Sequence, residues 1–300
     1  MDAFGEIGVF VRVVDRRSFT RAGQAIGLTA SGVSRIVSRL EARLGVRLLE
    51  RTTRSIGLTA EGAAYYDRCT RILRELEDAD GALASSSRGA PRGRLRIDAP
   101  MVLGRFVLAR ALPRFLGDYP ELSVSLSVRD HLIDPIAEGI DVLLRMAELR
   151  ESELVQKKLG ALRFVVVASP GYLEEHGRPE HPDELRTRAT LGFMAGGKPL
   201  TWRFHDRGRV AALTPSGRLH SNSVDALREG ALAGQGLTNV LELHVRDEVA
   251  SGALEVVLSD YEQSPVPVHA LYTRENATLP KVRAFLDFVT RSLGGKVVKG

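Results

Sequence analysis

The stretch Ser18 to Leu44, SFTRAGQAIGLTASGVSRIVSRLEARL, constrains this chain most. It reads as two short helices broken at Gly27-Leu28-Thr29. Thr29 is placed to cap the second helix, its hydroxyl accepting from an unpaired N–H of the first turn. Val33, Ile36, Val37, Leu40 and Leu44 recur at helical spacing and predict one buried stripe. The opposite face carries Ser31, Ser34, Arg35, Ser38 and Arg39, with no carboxylate before Glu41. Short hydroxyls and guanidiniums suit phosphates and acceptor-rich base edges. A helix-turn-helix places its second helix in the DNA major groove. The competing reading is an amphipathic helix pair in an ordinary core. Small residues at the helix crossing, Ala22 and Gly23, weigh against it, and so does the charge distribution.

The chain of 300 residues has a formal net charge of +5. Residues 1–58 hold ten arginines, no lysine and five acids, so all the net positive charge sits there. The other residues are balanced, which points to a polyanion at one end of the molecule. The single cysteine, Cys69, excludes a disulfide framework within the chain and a cysteine-rich zinc site. The start, MDAFGEIGVF, lacks a signal pattern, and no apolar run is long enough to span a bilayer. A cytoplasmic protein with no membrane partner is expected.

Around the helix pair, Phe4, Ile7, Phe10, Val11 and Val14 predict a first helix over residues 4–16, and Ser18 can cap the next one. GVRLLERTTRSIGLT predicts a β-hairpin with Leu48, Leu49, Ile56 and Leu58 inward and Arg51, Thr52, Thr53 and Arg54 at the tip. Beside a recognition helix, a basic tip reads as a DNA-contacting wing; the alternative is a solvated turn. From Thr59 to about Ser85 the pattern is one long helix. Tyr65, Cys69, Ile72, Leu76, Ala79 and Leu83 alternate steps of four and three, a heptad seam that predicts symmetric pairing of two helices. A seam against the chain's own domain is the alternative. Cys69 reads as a small buried apolar group rather than a redox switch. SSSRGAPRG, residues 85–93, reads as an interdomain hinge.

From Arg94 strands and helices alternate, which predicts a mostly parallel α/β sheet. Helices are expected over about 102–117, at HLIDPIAEG, at PGYLEEHG, at SVDALREGALAGQG with Ser223 as cap, near 243–251, and at LPKVRAFLDFVTRSL, opened by Pro280. A hairpin is expected around LTWRFHDRGRVAALT.

SFTRAGQAIGLTASGVSRIVSRLEARLGVRLLERTTRSIGLTAEG resembles the N-terminal domain of the LysR-type transcriptional regulators. The matches include Ser18-Phe19, Ala22, Gly27, Ser31, Val33-Ser34-Arg35, Leu40-Glu41, Leu44-Gly45, Leu48-Leu49, Arg51, Arg54, Leu58-Thr59 and Gly62. RLRIDAP, FLGDYPELSVSL, SPGYLEEHG, SVDALREGALAGQGL and LPKVRAFLDFV look like the family's effector-binding domain, so the resemblance covers essentially the full chain.

The resemblance implies an α/β protein overall. A winged helix-turn-helix over 1–59 is joined by a linker and dimerisation helix over 60–88 to a two-lobed, periplasmic-binding-protein-like domain over 93–300. Lobe I takes 93–162 and 268–300, and lobe II takes 163–267. It implies a regulator whose grip on promoter DNA, or bending of it, responds to a small-molecule effector. It also implies a homodimer through the linker helix, assembly as a homotetramer, and possible contact with RNA polymerase. Three positions depart from the family pattern: Ala30 stands where Pro or Gln is frequent, Gly32 where Ala is usual, and Gly23 for the second Ala of a common pair. Ala30 removes one possible base reader.

Carried over residue by residue, Ser31, Ser34 and Arg35 are candidates for base-edge or nearby phosphate contacts, and Arg39, Arg51 and Arg54 for phosphate contacts. Ser18, Thr29, Ala30, Ser38 and Thr53 complete the candidate DNA face. For the effector, Pro100, Met101 and Val102 are offered by one lobe and Ser221, Asn222 and Ser223 by a helix start of the other. Arg145, Phe193, Trp202 and Phe204 are candidate walls; for the three aromatics ordinary core is the alternative. The first lobe's helix start has no hydroxyl to hold a carboxylate, so an apolar or aromatic effector is expected. No metal or other cofactor is implied. An enzyme is not expected: the seven histidines are scattered singly, and Ser-x-x-Lys, Gly-x-Ser-x-Gly and Gly-rich phosphate-loop patterns are absent. The alternative function is a ligand-independent architectural DNA binder, which would need no two-lobed cleft.

Overall fold

A computed structural model describes residues 3–51, 56–88, 90–131, 133–146 and 153–294. The chain forms two compact units, Met1–Gly93 and Arg94–Gly300.

In the first unit α1 (Ala3–Arg16), α2 (Phe19–Gln24) and α3 (Ala30–Leu44) precede a hairpin of β1 (Leu49–Arg51) and β2 (Ile56–Leu58), and α4 (Ala60–Arg88) follows. The apolar stripe of α3 is buried as its spacing predicts: Val33, Val37 and Leu40 are fully enclosed and Ile36 nearly so. They pack on Phe10, Val13 and Ala22, and burying each aliphatic side chain stabilises the unit by roughly 1.5–3 kcal/mol. Phe4, at helical spacing with Phe10 and Val11, is exposed on the first turn of α1. Helix α3 stops at Gly45, whose φ of 71° is a left-handed cap that glycine adopts without strain.

Helix α4 corrects two expectations. It runs through Ser85-Ser86-Ser87 to Arg88, so the serine tract begins as helix rather than as hinge. The heptad seam is also divided. Tyr65 and Cys69 pack into the first unit's own core, with the Phe10 ring 5.8 Å from that of Tyr65. Ile72 and Leu76 remain 46% and 48% exposed. Burial raises the Cys69 thiol above its ordinary pKa, against a smaller opposing effect of its bond to Tyr65; a protonated, enclosed thiol is unreactive.

Among the described residues the second unit has two large sheets and a separate two-stranded hairpin. β3 (Gly93–Ala99) leads into a helical run of α5 (Met101–Leu103), a π segment (Gly104–Leu108) and α6 (Ala109–Asp118). Next come β4 (Leu122–Val128), β5 (Val142–Met146), β6 (Val155–Leu162) and β7 (Phe164–Ala168). Then follow α7 (Pro170–His176), β8 (Thr190–Ala195), β9 (Lys198–Pro199), β10 (Trp202–Asp206), β11 (Arg209–Leu213) and β12 (His220–Ser221). The chain closes with α8 (Val224–Leu232), β13 (Leu237–Leu241), α9 (Arg246–Ser251), β14 (Glu255–Val257), β15 (Val266–Tyr272) and α10 (Pro280–Gly294). One sheet has the order β4-β3-β5-β15-β6 and the other β12-β8-β13-β7-β14, which defines a first and a second lobe.

Neither sheet is mostly parallel. β3 and β5 run parallel, but β15 is antiparallel to both β5 and β6. β8 is parallel to β12 and β13, whereas β7 is antiparallel to β13 and β14. The chain passes between lobes at β6–β7 and returns into β15, which reverses strand direction in both sheets. The first core gathers Phe115, Phe285 and Phe288 beneath the first sheet and takes in Leu241 and Leu243 from the other lobe. Residues 135–139, part of the expected helix HLIDPIAEG, form turns instead. Asp134 Oδ1 accepts from the Ile136 and Ala137 N–H groups, a local bond that competes with a helical ladder.

Candidate nucleic-acid interface and effector cleft

On the first unit, the caps expected from sequence fix the helix pair. Thr29 Oγ1 accepts from Gly32 N at 3.1 Å and lies 3.1 Å from Ser31 Oγ. Ser18 Oγ accepts from Arg21 N at 3.2 Å, so this hydroxyl holds the start of α2. Ser31, Arg35, Ser38 and Arg39 are exposed, while Ala30 and Ser34 are half-buried. These side chains sit opposite the enclosed stripe, on one continuous face. Thr29→Ala is expected to lower stability by about 1 kcal/mol, read as a lower urea midpoint with unchanged slope.

The sequence left out a carboxylate beside this face. Glu6 of α1 is buried, and its two oxygens lie 3.5 Å from Arg39 Nε and 3.3 Å from Arg43 Nε. Arg39 is thereby already partnered within the protein, and Arg35 is the more available cation of the two. Glu41 has a role that helical spacing does not reveal. Its Oε1 accepts from Leu48 N at 2.9 Å and Leu49 N at 3.1 Å, tying the wing's first strand to α3. Arg51 ends β1. Thr52, Thr53 and Arg54, the expected wing tip, lie outside the described residues.

In the second unit, Arg105 Nη1 reaches Asp225 at 2.7 Å, which brings the start of the first-lobe helical run against the start of α8. Met101 is half exposed at that start, Val102 is buried and Pro100 is half-buried. The Met101 N–H donates to Asp130 Oδ1 at 2.9 Å, so a carboxylate from a distant loop caps the hydroxyl-free start. Parallel pairing of β8 and β12 sets Phe193 beside Ser221, and Asn222 and Ser223 follow, both exposed. Ser223 occupies the N-cap position of α8, but its side chain makes no cap bond; its N–H donates to Ser221 Oγ at 3.0 Å.

Three candidate walls are turned into the lobes' interiors. Trp202 and Phe204 alternate inward from β10 and are enclosed in a second-lobe core with Tyr172, Leu185 and Leu213. The ordinary-core alternative describes them, because inward positions of a hairpin strand cover whatever lies beneath it. Arg145 is turned inward as well. It lies 2.9 Å from Asp98 Oδ1, and Arg129 Nε lies 2.5 Å from Asp98 Oδ2. Asp98 is fully buried, and Arg129 also meets Glu138. These two carboxylates, Asp98 first, raise the Arg129 pKa above its ordinary value.

The model of the bacterial regulatory helix-turn-helix protein, lysR family, matches residues 4–63, and that of the LysR substrate binding domain matches residues 88–294. The chain belongs to the LysR family. This LysR-family chain is a DNA-binding transcriptional regulator with an effector-binding domain. It is 36% identical to the HTH-type transcriptional regulator CrgA of Neisseria meningitidis serogroup C over 97% of each chain. It is also 36% identical to the HTH-type transcriptional activator AaeR of Escherichia coli, over 97% of this chain and 94% of that one. The solved structure of CrgA from Neisseria meningitidis superposes with a TM-score of 0.62 at 35% identity, covering 98% of this chain and 99% of the other. The full-length Vibrio cholerae virulence activator AphB gives 0.61 at 28% identity, covering 97% and 99%.

The features of this LysR-family regulator that sequence reasoning missed are Glu6, Glu41, Asp98, Arg129 and Asp130. Each works through a partner on another element, for which no spacing rule exists. Among the described residues no helix is long and apolar enough to cross a membrane.

Proposed function

We propose that this regulator reads promoter DNA with the face of α3 carrying Ser31, Ser34, Arg35 and Ser38. Arg39 and the wing's Arg51 and Arg54 hold phosphates. The observation that carries this reading is the capped helix whose apolar stripe is enclosed while Ser31, Arg35 and Ser38 are exposed. Arg35→Ala is expected to weaken binding to the chain's own upstream region by about 1–3 kcal/mol and to relax sequence preference. Fluorescence anisotropy on that duplex and on scrambled duplexes tests it; unchanged affinity and preference would remove the residue from the base-reading set.

The reading extends to assembly and ligand. Ile72 and Leu76, exposed on successive turns of α4, support a homodimer through this helix; the dimer pairs again into a tetramer, acts in the cytoplasm and engages RNA polymerase. The chain regulates rather than catalyses. Its parts are a DNA-binding domain at 1–59, a linker helix at 60–88 and an effector domain at 93–300. The effector lies between the helix starts at Pro100-Met101-Val102 and Ser221-Asn222-Ser223, against Phe193. Half-exposed Met101, with its N–H already answered by Asp130, supports an apolar or aromatic effector over a small diacid.

A further inference from the structure

The two lobes of the second unit also meet at a charged and aromatic contact to which the function above assigns no part. Arg105 Nη1 lies 3.0 and 2.7 Å from the two carboxylate oxygens of Asp225. The next residue, Phe106, meets the His244 ring edge-on, with centroids 5.2 Å apart at 79°. The Arg105 guanidinium carbon sits 4.9 Å from the Phe106 centroid. One turn on, Arg110 Nη2 is 3.8 Å from Asp247. Arg105, Phe106 and Arg110 belong to the first lobe; Asp225, His244 and Asp247 belong to the second.

A cavity of about 310 Å³ lies among these side chains. It is not an evident anion site, because each arginine lining it already has a carboxylate within 4 Å. Arg105 and Arg228 face Asp225, Arg110 faces Asp247, and Arg246 faces Glu242. Two of these pairs, Arg105–Asp225 and Arg110–Asp247, cross from one lobe to the other and fasten the contact, and Phe106 packs edge-on against the part-buried imidazole.

We propose that Arg105 and Phe106 of the first lobe, closed on Asp225 and His244 of the second, form a latch that holds the lobes in one relative orientation and releases on acidification. His244 is the sensor. The charged groups that act on it are Asp225 and Arg228 of α8, Arg105 of the π segment and Asp130 of the loop after β4, and Arg110 of α6 with Arg246, Asp247 and Glu248 of α9 line the same cavity. Together these causes lower its pKa from 6.5 to about 4: burial is the largest, Asp225 opposes it, Arg105 and Arg228 add to it, and Asp130 opposes. With the lobes apart, the ring regains water and its ordinary pKa. The sign follows. The latched state has the lower pKa, so it is fully favoured above pH 6.5 and loses ground as pH falls toward 4. Between pH 8 and pH 5 the ratio of open to latched molecules should rise about 30-fold.

The latch is independent of the ligand and DNA readings, because its readout is lobe orientation in the full chain alone. Asp118→Cys and Glu174→Cys place nitroxide labels on exposed positions of the two lobes; buried Cys69 stays in place. The labelled protein is diluted with unlabelled protein so that distances between subunits drop out, and the label separation is measured by pulsed electron resonance. One narrow distance is expected at pH 8 and a second population at pH 5. His244→Phe keeps the ring packing without a titrating group and should hold the narrow distance at both pH values. Arg105→Ala, an exposed substitution that leaves both cores intact, should populate the second distance at pH 8. An unchanged wild-type distribution between pH 8 and pH 5 would overturn the latch, as would His244→Phe responding to pH as the wild type does.

Discussion

Asp98→Ala is expected to destabilise the second unit by about 3–5 kcal/mol, the scale for removing one partner of a buried charge set. Asp98 is fully buried at the end of β3, with Arg145 at 2.9 Å and Arg129 at 2.5 Å on its two oxygens. Arg145 is 13% exposed and Arg129 25% exposed, so neither guanidinium can recover full hydration when the carboxylate goes. Glu138 can still answer Arg129, which leaves Arg145 as the costlier orphan. Replacing only the charge, as in Asp98→Asn, keeps two polar atoms in place and should cost less. Urea unfolding followed by circular dichroism tests the pair. Equal stability of wild type and Asp98→Ala would mean that Arg145 escapes to water and that this network does not hold the lobe.

Gly62→Ala is expected to cost the first unit several kcal/mol, roughly the upper end of overpacking effects. A Cβ at Gly62 would stand 1.9 Å from the Leu48 carbonyl oxygen and 2.8 Å from its carbon. Both are backbone atoms, so no side chain can rotate away. The spot is pinned from several directions. Gly62 N donates to Thr59 Oγ1 at 2.9 Å, the Thr59 hydroxyl donates to the Arg47 carbonyl at 2.8 Å, and Thr59 N donates to the Leu48 carbonyl at 3.1 Å. Any shift that relieves the clash moves the wing away from α3, so DNA affinity should fall along with the unfolding midpoint. An alanine variant with wild-type midpoint and affinity would show that α4 can slide on the hairpin.

Much of the first unit is legible in its sequence because its determinants are local. The stripe of α3 follows from a period of 3.6, and the Thr29 and Ser18 caps from partners three residues away. The exposed face of α3 follows as the complement of the stripe. What stayed hidden is long-range: Glu6 reaching Arg39 and Arg43, Glu41 reaching Leu48, and Asp130 reaching Met101 from 29 residues away. Hydrophobic alternation locates strands but carries no direction, so the mixed sheets read as parallel. Alternation also cannot say what lies beneath a strand, and Trp202 and Phe204 therefore read equally as cleft wall and as core. The heptad spacing of α4 was correct as a pattern, yet its first residues, Tyr65 and Cys69, are used within the unit.

Footprinting of the chain's own upstream region at low and moderate salt decides whether the arginine and hydroxyl face of α3 docks on duplex DNA. Wild-type protein should protect paired half-sites that weaken steeply as salt rises, and Arg35→Glu should abolish that protection while leaving the unfolding midpoint unchanged. Protection by the Arg35→Glu chain equal to that of wild type would contradict the account.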